Sequence, residues 1–382
     1  MILTINGGSS SIKFAIYKLG KSSEKLYSGQ LNRIGLPGMS FNLNGEKFPC
    51  KANDYDSAIS CVITWLEEQT NIRITAIGHR VVHGMQHTEP CLITADLLKD
   101  LKQIISYDPD HLPTEIKLIE AFRERHPEIK QFACFDTAFH QTMPRVAKLL
   151  PIPRRFEKVG IHRYGFHGLS YQYLIKELKK IAGKKAASGR VIMAHLGNGA
   201  SLAATYKGKS IDTSMGFTPA GGIPMSSRSG DLDPGVAWIM MKTENLSPKQ
   251  FNNLVNHESG LIGISETSGD MSDLLKQEAT DERSAEAVNL FCYQVKKWIG
   301  SFAAALGGVD TLIFSGGIGE NSPEIRARIC KGLDFLDINL NKKQNNKNAS
   351  LISKGKTSVY VIATNEELMI AEIVNKIIST KK

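Results

Sequence analysis

Residues 190–206 read RVIMAHLGNGASLAATY, and residues 2–17 read ILTINGGSSSIKFAIY. In the first stretch an apolar run, Val191 to Ala194, leads into Gly197-Asn198-Gly199, and Ser201 to Tyr206 reads as a second strand. In the second, Ile2 to Ile5 and Ile12 to Tyr17 are the strands, and Gly7, Gly8 and three serines connect them. Apolar, β-branched runs bounded by Gly and Ser are the pattern of strands joined by tight turns. The same unit met twice, half a chain apart, predicts a duplicated domain. Small residues, bare backbone amides and one cation, Lys13, also make a phosphate cradle of the first turn. An ordinary Ser-rich hairpin has the same composition. A Walker A loop is excluded, because that motif needs G-x-x-x-x-G-K-[ST] ahead of a helix, and here the Lys opens a strand.

A third Gly-rich turn lies in DTLIFSGGIGENSPEIRARICKGL, where a strand ends in Gly316-Gly317-Ile318-Gly319 and a helix follows. Asn321 or Ser322 is the cap expected for that helix, with Pro323 at its first position. A helix start after such a turn suits a phosphate or a polar ribose. The G-x-G-x-x-G dinucleotide fingerprint is absent. Elsewhere strand-like runs (ITAIGHRVVHG, FACFDTAFH) alternate with helical ones (TEIKLIEAFRER, YQYLIKELKKIAG, AEAVNLFCYQVKKWIGSFAAAL), which is α/β organisation with ligand loops at strand ends. The last helix, apolar along one face, reads as a buried interdomain or dimer helix. LNKKQNNKNASLISKGK reads as a solvated surface loop.

Composition narrows the class. The 382 residues suit two or three domains, and the 42% hydrophobic and 22% charged fractions are those of a globular protein. The beginning has no basic leader and no apolar run long enough for a signal peptide or a membrane span. The six cysteines are scattered without a C-x-x-C pair. This argues against zinc and a disulfide framework, and fits reduced thiols in the cytoplasm. The formal net charge of +9 is diffuse, with no Arg-rich arm or aromatic-basic interleaving, so solvated surface is expected and nucleic-acid binding is not.

Polar side chains gather where strands should end. GHRVVHG places His79, Arg80 and His83 around two valines. CFDTAFHQ puts Asp136 directly after an apolar run. RYGFHGLS offers Arg163, His167 and Ser170, and SSRSGDLDPG offers Arg228, Asp231 and Asp233. Each alone has a structural explanation. Together, with three Gly-rich turns and no nucleophile motif or metal cluster, they are the inventory of phosphoryl transfer: cations around the moving group, a carboxylate, and backbone cradles for a nucleotide.

The motifs NGGSSSIK, GHRVVHG, FDTAFH, RYGFHG, AHLGNGAS, DTSMGFTP, RSGDLDPG, SGLIGIS, SGGIGENS and TNEEL resemble, in order, those of the acetokinase family of acetate, propionate and butyrate kinases, from residue 6 to residue 368. The resemblance implies duplicated actin/Hsp70/sugar-kinase-like (ribonuclease H-like) α/β domains around a central cleft, residues 1–145 with 368–382 and residues 146–367, the second binding nucleotide and dimerising. It implies a cytoplasmic, homodimeric, magnesium-dependent enzyme, manganese being a substitute, that passes phosphate reversibly between ATP and acetate, with ADP and acetyl phosphate as products. It implies no nucleic-acid or membrane partner.

By position, the resemblance gives magnesium to Asn6 and Glu366, with Glu367 the alternative. Ser9, Ser11 and Lys13 would shape the phosphate side. Arg80 and Arg228 would flank the carboxylate and the developing charge, Asp136 would orient the acid, His167 would donate to the phosphoryl group, and His111 would assist. Val82, Phe166 and Pro219 would wall the methyl pocket. His195, Leu196, Gly197, Asn198, Gly199, Asp270, Met271, Ser272, Gly317, Ile318, Gly319, Glu320 and Asn321 would hold the nucleotide. The chain departs from the family at Asp110, where Leu is usual, at Tyr171, where a second His is usual, and at Ser272, where Arg is usual.

Overall fold

The computed structural model describes residues 1–8, 10–20 and 23–380. The chain divides into two compact units, residues 1–138 with 365–382 and residues 139–364.

The first unit is built on an eight-stranded sheet of order β5-β4-β3-β2-β1-β6-β8-β7. Its strands are β1 (Ile2–Gly8), β2 (Ser11–Leu19), β3 (Ser23–Asn32), β4 (Ser40–Leu43), β5 (Glu46–Phe48), β6 (Ala76–Val81), β7 (Cys91–Leu92) and β8 (Lys130–Phe135). β1 pairs antiparallel with β2, Asn6 opposite Lys13, and parallel with β6, which is parallel to β8. The sheet closes on a core that includes Leu3, Ile5, Phe14, Trp65 and Ile77, and Phe14 and Trp65 meet with ring centroids 5.2 Å apart. The helix Glu366–Thr380 belongs to this unit, far away in sequence, and buries Ile370 and Val374. Gly78 in β6 makes room for it: a Cβ there would stand 2.4 Å from Ile370 Cγ2.

The second unit has a five-stranded sheet of order β11-β10-β9-β12-β13, formed by β9 (Arg190–Leu196), β10 (Ala200–Tyr206), β11 (Lys209–Thr213), β12 (Thr311–Ser315) and β13 (Ser358–Val361). β9, β10 and β11 are antiparallel neighbours, and β9, β12 and β13 run parallel. The order and directions match those of β3-β2-β1-β6-β8 strand for strand. The duplication expected from the two opening hairpins is therefore present in the topology, the ribonuclease H-like arrangement of the actin, Hsp70 and sugar-kinase superfamily.

Three expectations need correction. The turn Gly316 to Gly319 is itself the start of a short helix, Gly316–Asn321; Ser322 then caps the helix Pro323–Cys330 through its hydroxyl. The polar stretch 340–356 is more than solvated surface, since Asn345 is buried and holds Arg326. Cys50 and Cys61, eleven residues apart, are joined as a disulfide, while Cys91, Cys134, Cys292 and Cys330 are free. Their spacing is no recognised motif; the helix Tyr55–Glu67 turns Cys61 back toward the residue before it.

Candidate functional site

In the first unit the polar side chains converge at the ends of β1, β6 and β8. β-Strand pairing fixes the geometry: β6 and β8 are parallel and in register from Ala76 opposite Lys130 to Val81 opposite Phe135, so Arg80 and Asp136, 56 residues apart, emerge side by side. Arg80 donates to Asp136 Oδ2 from Nη2 at 2.5 Å and from Nε at 3.0 Å, and from Nη1 to Asn6 Oδ1 at 3.2 Å. Asn6 Nδ2 donates to Glu366 Oε2 at 3.3 Å. Burial alone would lower the Arg80 guanidinium; the carboxylates of Asp136, Glu366 and Glu115 overcome it and hold it above its ordinary value. Burial pushes the Glu366 carboxyl up to about 7, with Asp136 and Glu367 adding and Arg80 and Lys13 opposing.

Asp136 Oδ1 is buried without a hydrogen-bond partner among the described residues. That orphan oxygen, the Glu366 carboxyl and the Asn6 amide are hard oxygen donors, the kind a divalent cation takes while keeping several of its waters. They fit magnesium. No cluster of three His, Cys, Asp or Glu side chains among the described residues has ligand spacing.

Around this group, Val82 is buried directly after β6. Its N–H donates to both oxygens of Glu115, 3.2 and 3.1 Å away. Glu115 lies in the first turn of the helix Leu112–Arg125, buried, and burial pushes its carboxyl well above the usual range. His111 sits just before that helix, its Nδ1 2.9 Å from Asp108 Oδ1. Lys13 is exposed on β2, and Ser11 opens that strand; Ser9 lies outside the described residues. Glu115 and Asp108 escaped the sequence reading because one sits inside a run whose period is plainly helical and the other in a loop of common turn residues.

In the second unit the turn between β9 and β10 is held by Gly197 N–H donating to Gly199 C=O. β-Pairing sets Ser201 opposite His195. His167 precedes the helix Gly168–Ala187 in left-handed backbone, φ 57°, and its ring stacks on His195 with centroids 4.4 Å apart. His167 Nδ1 is 2.9 Å from Ser201 Oγ, and Ser170 Oγ lies 2.8 Å from both His195 Nδ1 and Thr364 Oγ1. Arg228 Nη1 donates to the Pro219 carbonyl at 3.4 Å. A Cβ placed on Gly199 would lie 3.4 Å from His167 Nε2 and 3.9 Å from Arg228 Nη1, so both side chains face the glycine turn. Phe166 is buried in the same unit.

The second glycine turn is tied down from below. Gly316 has φ 75° and a Cβ there would be 2.6 Å from the Leu196 carbonyl oxygen, so no larger residue fits. Glu320 Oε1 accepts from the backbone N–H groups of Gly316 and Thr364. Arg326, fully buried, donates to the carbonyls of Gly319, Glu320 and Asn345 and to the side chains of Asn345 and Asn348. Burial with no facing carboxylate lowers its guanidinium to about 10. Arg326 is absent from the sequence-derived set because its spacing is that of any helical Arg.

The remaining candidates have these partners within the fold. His79 is buried against Gln131, Arg163 donates to three consecutive carbonyls from Thr213 to Met215, Asp231 accepts from Gly222 N–H, and Asp233 caps the helix Pro234–Thr243. Asp270 caps the helix Met271–Gln277 by accepting from the N–H groups of Ser272 and Asp273, and Met271 is buried.

Residues 1–372 match the model of the Acetokinase family. The acetate kinase of Thermoanaerobacterium thermosaccharolyticum is 43% identical over 401 residues, covering 100% of each chain. The acetate kinase of Clostridium acetobutylicum is 40% identical over 399 residues, covering 100% of this chain and 99% of that one. Among solved structures, Porphyromonas gingivalis acetate kinase superposes with a TM-score of 0.88 at 35% identity, covering 99% of each chain. A propionate kinase from Francisella tularensis does so with a TM-score of 0.91 at 37% identity, covering 97% of this chain and 98% of that one.

Proposed function

Because this chain belongs to the acetokinase family, we propose that it transfers the γ-phosphoryl group of ATP to acetate, reversibly, giving acetyl phosphate and ADP. The observation that carries the reading is the convergence of Arg80, Asp136, Asn6 and Glu366 at the strand ends of the first unit.

Acetate is already ionised at neutral pH, so the difficulty is bringing one anion up to another. An acetate oxygen forms the new bond to the γ-phosphorus as the bond to the β,γ-bridging oxygen breaks and ADP leaves with that electron pair. Arg80, its Nε and Nη2 fixed by Asp136, holds the carboxylate. Arg228 offsets the charge on the moving group, and His167 donates to it, with His111 assisting. Asp136, accepting from two guanidinium nitrogens, is an orienter rather than a base. Val82, Phe166 and Pro219 wall the methyl group. Ser9, Ser11 and Lys13 take the phosphate side. The turns at His195–Gly199 and Gly317–Asn321, with Asp270 to Ser272, take the nucleotide. Magnesium, or manganese in its place, would be held by Asn6 and Glu366 directly or through water, and would supply positive charge to the phosphates.

A homodimer in the cytoplasm completes the reading. The helix Pro234–Thr243 (PGVAWIMMKT) is apolar yet buries none of its residues within one chain, with Trp238 at 69% exposure. Met240 joins Leu290 and Trp298 in lining a groove of about 810 Å³. A second copy covers such a face. No helix of the described residues is long and apolar enough to cross a membrane.

Propionate is the second substrate to consider, because the Francisella tularensis propionate kinase matches so closely. The test is hydroxamate trapping of acyl phosphate with ATP, magnesium and, side by side, formate, acetate, propionate and butyrate. Greatest kcat/KM with acetate supports the reading; a longer acid in first place moves the name and keeps the mechanism; no acyl phosphate from any acid overturns it.

A further inference from the structure

Tyr171 is fully buried, and its Oη lies 2.5 Å from Ser201 Oγ. Ser201 is itself fully buried and lies 2.9 Å from His167 Nδ1. The arrangement follows from the fold. Tyr171 stands four residues after His167, in the first turn of the helix that His167 precedes, and its N–H donates to the His167 carbonyl. Ser201, in β10, faces that side chain pair. The Tyr171 ring is packed against Phe139 and His140, with centroids 6.1 and 5.7 Å away, which fixes where its hydroxyl points.

A phenol is a stronger donor than an aliphatic alcohol. When Tyr171 Oη–H donates to Ser201 Oγ, the serine proton is directed to its other near neighbour, His167 Nδ1. A neutral imidazole that accepts at Nδ1 carries its proton on Nε2. Nε2 is the nitrogen turned to the Gly199 turn, on the side where Arg228 Nη1 also lies. Arg228 and the stacked His195, whose Nδ1 is hydrogen-bonded with Ser170 Oγ, are among the groups that face this ring.

We propose that Tyr171, acting through Ser201, holds His167 in the Nε2–H tautomer, and is thereby a positioning residue for the donor that meets the phosphoryl group. This rests on the kinase reading of His167 given above. In that reaction the imidazole need not gain a proton to donate, so transfer stays efficient at pH values above the imidazole range. Loss of the phenol hydroxyl frees Ser201 to rotate, and His167 then divides between two tautomers, only one of which donates from Nε2.

The test joins ¹⁵N-histidine NMR of the full chain to steady-state kinetics for wild type, Tyr171→Phe, Ser201→Ala and His167→Gln, the last identifying the His167 signals. Expected is an unprotonated Nδ1 and a protonated Nε2 at His167 in wild type, and averaged shifts in Tyr171→Phe. The kcat of Tyr171→Phe falls about tenfold with both KM values held within about twofold. In a His167→Gln background, Tyr171→Phe costs nothing more. Ser201→Ala gives the same pattern without touching the phenol packing. A protonated Nδ1 in wild type, shifts and kcat unchanged in Tyr171→Phe, or losses that multiply in the double variant each overturn the relay. A wild-type chain that phosphorylates no carboxylic acid defeats the kinase reading instead, while the nitrogen shifts still decide whether Tyr171 sets the tautomer.

Discussion

Arg80 and Asp136 meet through two guanidinium nitrogens and a single carboxylate oxygen, Oδ2, with Asp136 wholly buried and its Oδ1 left over. The one-sided grip leaves Oδ1 for a cation or its water and still fixes the plane of the guanidinium. Asp136→Asn keeps the shape and removes the charge that compensates Arg80. Breaking a buried pair from one side costs about 3–5 kcal/mol of stability. Turnover is expected to fall at least about a hundredfold, since the clamp loses its orientation. Urea unfolding and the hydroxamate assay check the two parts; near-normal turnover would remove Asp136 from the mechanism.

Arg228 Nη1 donates to the Pro219 carbonyl and approaches the Met225 thioether, both in its own loop. Arg228→Ala should keep the wild-type melting temperature within a few degrees and cut kcat at least about a hundredfold. A variant that turns over normally sinks its assignment to the developing charge.

A change at Arg326 tests whether the turn Gly316–Asn321 serves the nucleotide. Arg326→Met leaves the carbonyls of Gly319 and Glu320 without their donor, and stability should drop by about 3 kcal/mol or more. Because those carbonyls belong to the glycine turn, KM for ATP is expected to rise while KM for acetate stays put. Equal changes in both would show that the turn does not report on the nucleotide.

Glu115 gives a pH signature with a definite sign. Burial raises its carboxyl in the folded state, so the folded chain holds a proton that the unfolded chain has released above the ordinary glutamate range. Stability contributed by this group is fully present below that range and is lost as pH rises. Glu115→Gln is neutral at every pH and still accepts from Val82 N–H. Its melting temperature relative to wild type should therefore climb from pH 5 to pH 8. A constant difference across that range would contradict the buried-acid description.

Trp238→Glu places a charge on the uncovered helix Pro234–Thr243. Sedimentation should show a dimer for wild type and a monomer for the variant at the same micromolar concentration. A wild-type monomer would remove the second copy from that face.

Much of this architecture is legible in the residues because local chemistry dictates it. The two strand–glycine turn–strand openings became β1 with β2 and β9 with β10, since their alternation and turn residues specify pairing with little help from elsewhere. Arg80 and Asp136 were legible as strand-end polar groups. Their meeting was not, because it depends on the parallel register of β6 with β8 across 56 residues. Glu115, Arg326 and Asn345 were hidden for a related reason: each looks like a solvent-facing residue of a polar or helical run, and only packing from distant segments buries it. The Cys50–Cys61 pair likewise depends on where the helix Tyr55–Glu67 turns. Composition, which favours reduced thiols, carries no information about such proximity.

The helix Glu366–Thr380 has a consequence for synthesis. It packs on β1, β2 and β6, filling the space left by Gly78, yet a ribosome makes it only after the entire second unit has been translated. The first unit to emerge is thus the last to be completed. Until that helix arrives, one face of its sheet, the face of Gly78 in β6, is exposed to whatever binds apolar surface on nascent chains, and Asn6 waits for Glu366. Order of manufacture and order of folding run in opposite senses here, and Glu366 can join Asn6 only after the second unit has been made.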